Sequence, residues 1–262
     1  MIVRTPLGWA LVEDGRKMLL RHDLGAILAG APVKTIGAEI DAETLAPVED
    51  DHEVWASGVT YERSRTARTE ESATPDVYDL VYEAERPELF LKAVGHRVVG
   101  PGGTGRIRSD SGWDVPEPEL VLVLDANGDV FGYTIGDDLS SRSIEGANPL
   151  YLPQAKVYEG SCVLGPGIVL ASDVAPPFDI ALTVRRGGAV AFQGSTSTAS
   201  MRRSFDELAG WLTRGLTFPR GVFLMTGTGV VPDDFTLQAG DTVSIDVPGI
   251  GVLTHGVDTW TC

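Results

Sequence analysis

The residues best suited to chemistry lie between Trp113 and Tyr158, in WDVPEPELVLVLDANGDVFGYTIGDDLSSRSIEGANPLYLPQAKVY. Glu117 and Glu119 stand two residues apart. Asp138 follows after an Asn127-Gly128 turn, and Lys156 sits in the mostly apolar run Pro153-Gln154-Ala155-Lys156-Val157-Tyr158. On a strand, side chains at i and i+2 point to one face, about 7 Å apart. Two such carboxylates in a pocket repel, and one is driven towards its neutral form. A hard divalent cation removes the conflict, because Mg²⁺ or Mn²⁺ takes oxygen ligands and keeps positions for water or substrate. Asp138, just past the hairpin partner strand, is brought back towards Glu117 by chain reversal. We therefore expect Glu117, Glu119 and Asp138 to hold one Mg²⁺ or Mn²⁺. The plainer alternative is an exposed strand face, where such pairs are common. A desolvated Lys156 would have a lowered pKa and move protons near neutral pH, although a nearby acid or an anionic substrate opposes that shift. Its plainer alternative is a surface lysine whose stem covers Tyr158.

The elements that must position these groups read as strands with tight turns. Residues 117–125 alternate, with Glu117, Glu119, Val121 and Val123 on one face and Leu120, Leu122 and Leu124 on the other. Asn127-Gly128 then turns the chain into a strand over 130–135. DANGD is superficially like a calcium loop, but Val130 stands where that loop needs glycine and the following glutamate is missing. Upstream, residues 8–12 and 17–20 form a hairpin around Glu13-Asp14-Gly15-Arg16, and 23–30 a short helix stopped by Gly30. The acid-rich stretch 41–53 connects this small N-terminal unit, residues 1–50, to a main domain over 51–262. Residues 76–85 have helical spacing, Pro87 ends them, and Leu89-Phe90-Leu91 begins a strand. Downstream, strands over 180–185 and 189–193 flank Gly187-Gly188. Ser204 with Glu207 caps a helix over 204–215 that ends at Gly215. An apolar strand over 222–225 runs into Thr226-Gly227-Thr228-Gly229, and 242–247 with 252–254 makes a last hairpin. The fold expected is a mixed, β-rich α+β protein.

Composition narrows the partners. A net charge of −16 repels nucleic-acid phosphates and anionic membranes, so neither is expected. Two cysteines, Cys162 and Cys262, imply no disulfide framework, and a cytoplasmic setting fits. No run approaches the roughly 20 apolar residues of a membrane span, and the first residues lack a signal-peptide core. Gly100-Pro101-Gly102-Gly103-Thr104-Gly105 matches G-x-G-x-x-G, but the charged Arg106-Ile107-Arg108-Ser109-Asp110 that follows is no apolar helix start, so a dinucleotide site is rejected. His22, His52, His96 and His255 lack zinc-site spacing.

Two flanking segments invite a role at the site. In residues 54–72, Tyr61, Arg63, Arg65 and Arg68 precede Glu70 and Glu71. A solvated helix with internal ion pairs and a lid that brings arginines and Tyr61 to an acidic substrate fit this stretch equally. Thr226-Gly227-Thr228-Gly229 is either a carboxylate cradle of hydroxyls and backbone N–H groups or a simple turn.

Taken together, Glu117-Pro118-Glu119, GYTIGDDLSSRS, AKVYEGSCVLGP and TGTG resemble, in order and spacing, the fumarylacetoacetate hydrolase superfamily over about residues 54–260. The resemblance implies a β-roll fold, usually dimeric, with Mg²⁺ or Mn²⁺ on Glu117, Glu119 and Asp138. It also implies active-site roles for Lys156, Arg142 and the Thr226, Gly227 and Thr228 loop. The family's hydrolases carry G-x-N-Y-x-x-H-x-x-E in the lid, where His and Glu activate water. Here Ser64 takes the His position and Ala67 the Glu position. Asp137 replaces the usual Asn, and Ser143 the usual Asp after Arg142. GVTYERSR, YEAERPELFLK and SRSIEGANPLYLPQAKVY look more like the branch that dehydrates 2-keto-3-deoxy sugar acids such as 2-keto-3-deoxy-arabinonate. The resemblance thus implies a metal-dependent lyase acting on a small 2-oxo acid, with Lys156 as acid or base and Arg63 and Arg65 closing on the substrate tail. The alternatives are a C–C hydrolase or decarboxylase of acylpyruvate-like acids and a non-catalytic 2-oxo-acid binder.

Overall fold

A computed structural model describes residues 1–71 and 76–260, with side chains for all of these except 67–71 and 76–78. Cys262 and the side chains of Arg68, Glu70 and Glu71 lie outside the described residues. The chain opens with β1 (Ile2–Thr5), β2 (Gly8–Glu13), β3 (Arg16–Leu20), α1 (Leu24–Leu28) and β4 (Thr35–Ile40). Next come β5 (Glu53–Ala56), α2 (Glu62–Glu71), α3 (Asp76–Glu83), β6 (Phe90–Val94), β7 (Val98–Val99), β8 (Thr104–Arg108) and β9 (Asp114–Val115). The chemical stretch holds β10 (Pro118–Leu124), β11 (Val130–Asp138), β12 (Ser140–Ser141), α4 (Arg142–Ala147) and α5 (Leu152–Lys156). It is followed by β13 (Cys162–Leu170), β14 (Asp179–Arg186), β15 (Ala189–Ser197), α6 (Phe205–Thr213), β16 (Val222–Met225), β17 (Thr242–Val247) and β18 (Gly251–Trp260).

The strands form a large mixed sheet, ordered β4-β3-β2-β1-β13-β11-β10-β16-β5-β6 with β7 also on β13. A five-stranded sheet, β15-β14-β17-β18-β8, packs beside it, and β9 pairs with β12. This is the mixed, β-rich architecture that the strand-and-turn pattern predicts. Turn chemistry sets the hairpins: Asp14 and Gly15 have φ of +49° and +77°, and Gly128 has φ of +87°, the left-handed values that Asp-Gly and Asn-Gly tolerate best. Asp23 accepts a hydrogen bond from Ala26 N at 2.7 Å and caps α1. Ser204 accepts from Glu207 N at 3.1 Å and caps α6, while the Glu207 carboxylate turns to Arg203.

β10 is buried along its whole length. Leu120, Leu122 and Leu124 pack into one core with Ile180, Leu182, Leu208 and Val243. Val121 and Val123 pack into a second core with Ile2, Trp9, Leu24 and Phe223. The valine face that carries the acids is therefore covered by the N-terminal segment, not open to solvent. Several strands run beyond their predicted limits, β15 and β18 among them, and others were not predicted. β11 continues through Asp138 rather than ending near 135, with Pro118 opposite Asp137 and Glu119 opposite Gly136. Its other neighbour holds it extended, since Asp138 pairs with Cys162. β1 and β4 also join the N-terminal hairpin, and β1 pairs with β13 through Ile2 and Ile168. No helix among the described residues is long and apolar enough to cross a membrane.

Candidate metal and active site

Pairing of β10 with β11 brings the acids together. The carboxylate oxygens of Glu117, Glu119 and Asp138 lie within 4.8 Å of one another, and all three residues are buried. Lys156, at the end of α5, is 3% exposed. Its Nζ donates to Glu117 Oε2 at 2.6 Å, Asp138 Oδ2 at 2.9 Å and Ser140 Oγ at 2.6 Å. The surface-lysine alternative is thereby removed. Arg142, the first residue of α4, donates from Nη2 to Glu117 Oε1 at 2.7 Å and is buried as well.

Glu119 is fully buried among like charges. Burial, then the charges of Asp138 and Glu117, push its carboxyl well above the usual carboxylate range, while Lys156 and the Gly227 N–H pull the other way. Such a group is what a divalent cation would stabilise in its charged form. Asp138 Oδ1 is held by the buried Lys92 ammonium. The donor set offered by Glu117, Glu119 and Asp138 is all carboxylate oxygen, which fits a hard cation such as Mg²⁺ or Mn²⁺.

These residues line a narrow cavity of about 20 Å³ together with Ser57, Gly58, Val59, Ser64, Glu88, Phe90, Glu145, Gly227 and Thr228. That space suits one cation or water. Larger hollows lie elsewhere; one of about 520 Å³ between Pro176, Thr198, Met201 and Phe205 has no acid in its lining and no link to this chemistry. A second acidic group, Glu49, Asp51 and His52, is already satisfied. Glu49 accepts from Trp9 Nε1 and Leu24 N, each at 2.9 Å, and pairs with Arg220. His52 accepts from Glu49 N at 3.1 Å through Nδ1 and donates from Nε2 to Arg220 O at 2.8 Å.

The flanking segments fall less neatly. Ser64 lines the cavity, while its hydroxyl donates to Tyr61 O at 2.7 Å; the side chain of Ala67 lies outside the described residues. Tyr61 is buried, its phenol pKa raised by burial and by the charge of Glu119, and its Oη has no hydrogen-bond partner. Arg63 pairs with Asp233, and Arg65 lies 3.6 Å from Asp79 and 3.8 Å from Glu62 and Glu83. Neither arginine lines the cavity. The ion-pair reading of this helix thus describes these two guanidiniums as they stand. In the late loop, Gly227 N donates to Glu119 Oε2 at 2.7 Å and Thr228 faces the cavity, but Thr226 turns its hydroxyl to Leu120 O at 2.9 Å.

Several residues at the site were not among the candidates read from sequence; Asp137 entered that reading only as the replacement for a usual Asn. Lys92 is fully buried on β6 and donates from Nζ to Leu139 O at 3.2 Å and to Lys156 O. Asp137 accepts from Glu117 N at 2.8 Å through Oδ1, and its Oδ2 lies 2.8 Å from His255 Nε2. Glu88 and Glu145 add two more carboxylates to the lining. The signal for Lys92 is a lysine inside the apolar run Phe90–Val94, and that for His255 a lone histidine on an inward strand position. The neighbouring Cys162 offers no nucleophile, since burial pushes its thiol up to about 12.

A family model described as fumarylacetoacetate (FAA) hydrolase C-terminal matches residues 83–258. Over 225 residues the chain is 50% identical to a probable 2-keto-3-deoxyxylonate dehydratase of Haloferax volcanii, covering 85% of this chain and 77% of that one. Over 257 residues it is 42% identical to the 2-dehydro-3-deoxy-D-arabinonate dehydratase of Saccharolobus solfataricus, covering 93% and 86%. Among solved structures, a 2-keto-3-deoxy-D-arabinonate dehydratase complexed with magnesium and 2,5-dioxopentanoate superposes with a TM-score of 0.87 at 35% identity, covering 100% of this chain and 99% of that one.

Proposed function

The chain belongs to the fumarylacetoacetate hydrolase family, and from that premise we propose that it is a magnesium-dependent dehydratase of 2-keto-3-deoxy sugar acids. The observation that carries the reading is the convergence of three buried carboxylates with a buried lysine in a cavity where Ser64 stands in place of a water-activating histidine. Its relatives by sequence and structure support it. The 2,5-dioxopentanoate in the solved relative is what a 2-keto-3-deoxypentonate becomes on losing one water.

In this reading Glu117, Glu119 and Asp138 would hold the cation, which when bound would supply Lewis acidity to a 2-oxo acid. Asp137 orients Glu117 through its backbone N–H, and Arg142 and Lys156 fix the Glu117 carboxylate from both oxygens. Gly227 N does the same for Glu119. A proton leaves C3, the C4–O bond breaks and the hydroxyl departs as water. A tautomerisation then turns the C5 carbinol into an aldehyde, with no oxidant needed. We assign to Lys156 Nζ the holding or moving of a proton, a role supported by its burial among Glu117, Asp138 and Ser140; Glu88 and Glu145 are further carboxylates of the cavity lining. Thr228 and Gly227 line the substrate side, and Arg63, Arg65 and Tyr61 would contribute only after the 61–71 segment moves. We further read the protein as a cytoplasmic homodimer or larger homo-oligomer, with residues 1–50 as a small N-terminal unit; light scattering tests the assembly.

Proton NMR in D₂O with Mg²⁺, a panel of 2-keto-3-deoxy pentonates and hexonates, and fumarylpyruvate tests the reaction. Loss of a sugar acid with growth of an aldehyde or its hydrate is expected; cleavage of fumarylpyruvate alone would overturn the reading. Lys156→Ala should lower turnover by about 10²-fold or more, the scale of a lost acid–base group, while calorimetry still detects Mg²⁺ binding. Full activity in that variant would remove the role assigned to Lys156.

A further inference from the structure

Val59 has φ of +54°. A β-branched residue with this backbone is an outlier, because its side chain crowds the carbonyl in the left-handed region. Such strain persists only where the surroundings over-determine it, and here they do. On one side Ser57 N donates to Met225 O at 3.0 Å and Ser57 Oγ to Glu88 O at 3.0 Å. On the other, Thr60 Oγ1 donates to Thr226 O at 2.6 Å, and Thr60 O accepts from Arg202 N at 3.0 Å. Between these two pins, any Cβ on Gly58 would collide with the Glu88 carboxylate. The strap of residues 57–60 therefore cannot relax without giving up contacts to β16, to the segment before β6 and to the late loop.

What the strain achieves is the placement of one side chain. Val59 is 7% exposed and lines the same cavity as Glu117, Glu119, Asp138 and Lys156. Apart from Phe90, the rest of that lining is polar or glycine. A 2-oxo acid that chelates with its carboxylate and keto oxygen has only its carbon tail left to meet an apolar wall. We propose that Val59 is a specificity-determining residue that limits how long a 2-oxo acid the site accepts. The proposal rests on the part of the dehydratase reading in which the site binds a 2-oxo acid through a metal; it does not depend on which reaction follows.

The test separates the two. Binding of pyruvate, 2-oxobutyrate, 2-oxopentanoate and 2-oxohexanoate to the Mg²⁺-loaded protein is measured by calorimetry for wild type, Val59→Ala and Val59→Gly. Kinetics on a 2-keto-3-deoxy pentonate and hexonate follow on the same proteins. Glycine is at ease at this φ, so Val59→Gly should keep its melting temperature; Val59→Ala carries the test if it does not. The six-carbon to five-carbon affinity ratio should rise roughly tenfold in Val59→Gly, the scale of one methylene in an apolar pocket, and less in Val59→Ala. The kcat/KM ratio should follow, with Mg²⁺ affinity unchanged. Ratios unchanged in both variants would overturn the proposal whatever the enzyme turns over. A wild type that binds the series with the expected length limit but dehydrates no sugar acid would instead overturn the dehydratase reading alone.

Discussion

Lys92 shows how much of this site depends on a residue that need not touch the substrate. Its ammonium is sealed from solvent and faces Asp138 Oδ1, Leu139 O and Lys156 O. One side chain thus ties a metal-side carboxylate to the backbone of the proposed proton carrier. Removing one partner of a buried pair leaves the other charge uncompensated, at a cost of about 3–5 kcal/mol. Lys92→Met should therefore lower stability on that scale in urea titrations. It should also reduce kcat more than it raises KM, because Lys156 and Asp138 lose their common anchor. Unchanged stability would show that Asp138 finds another partner. The spacing of Glu117, Glu119 and Asp138 and the apolar run around Lys156 made these four residues candidates from sequence, and the structure brings them together. Lys92 was missed for a physical reason. The apolar run that announces β6 was read only as far as Leu91, and a lysine in a strand is by default a snorkelling surface residue.

At the scale of elements, the short pair β9–β12 closes the site from behind, with Val115 opposite Ser140 and Asp114 opposite Ser141. Arg142 follows directly, and its N–H donates to Trp113 O at 2.8 Å. Asp114 is 3% exposed, and one of its oxygens has no hydrogen-bond partner. Burial pushes its carboxyl up to about 6, against a pull from Ser111. A folded-state value above the unfolded one means that the native protein holds more protons between about pH 4 and 6. Stability is then greatest below that window and falls as pH rises through it. Asp114→Asn removes this slope. The variant should gain on the order of 2–3 kcal/mol relative to wild type between pH 4 and pH 8, read as the difference in denaturant midpoints at the two pH values. A difference independent of pH would place the ionisation of Asp114 elsewhere. Hairpins with Asp-Gly or Asn-Gly turns and the capped helices were legible from local chemistry alone. The last three residues of β11 were not. Gly136-Asp137-Asp138 has the composition of a turn, and only pairing to β10 and β13 holds it extended, a case of tertiary context overriding propensity.

At the scale of the whole molecule, the N-terminal segment is joined to the rest in two ways. β1 extends the large sheet beside β13, and Glu49 gathers Trp9 Nε1, the first N–H groups of α1 and Arg220 into one junction. This segment also covers the face of β10 whose next two residues towards the site are Glu119 and Glu117, so the ligand strand is braced by a core on either side. An acid-rich stretch such as 41–53 reads as a solvated connection; that Glu49 is spent on a junction follows from contacts 24 to 171 residues distant in sequence, which no local pattern discloses.

The three cations of the site, Lys92, Lys156 and Arg142, are each no more than 3% exposed, while the chain as a whole carries a net charge of −16. A carboxylate arriving from solution therefore meets repulsion at long range and compensation only on arrival. The Debye length is about 10 Å at 0.1 M ionic strength, so dissolved salt would hide the outer charge long before it reached the inner one. With Mg²⁺ saturating throughout, kcat/KM for an anionic sugar acid should rise as salt is added from a dilute buffer, and kcat should stay level. A kcat/KM that instead fell with added salt would mean that the approach is guided by positive charge. The surface of this molecule is then suited to a medium rich in ions, where its own field is muted and the site alone decides what is held.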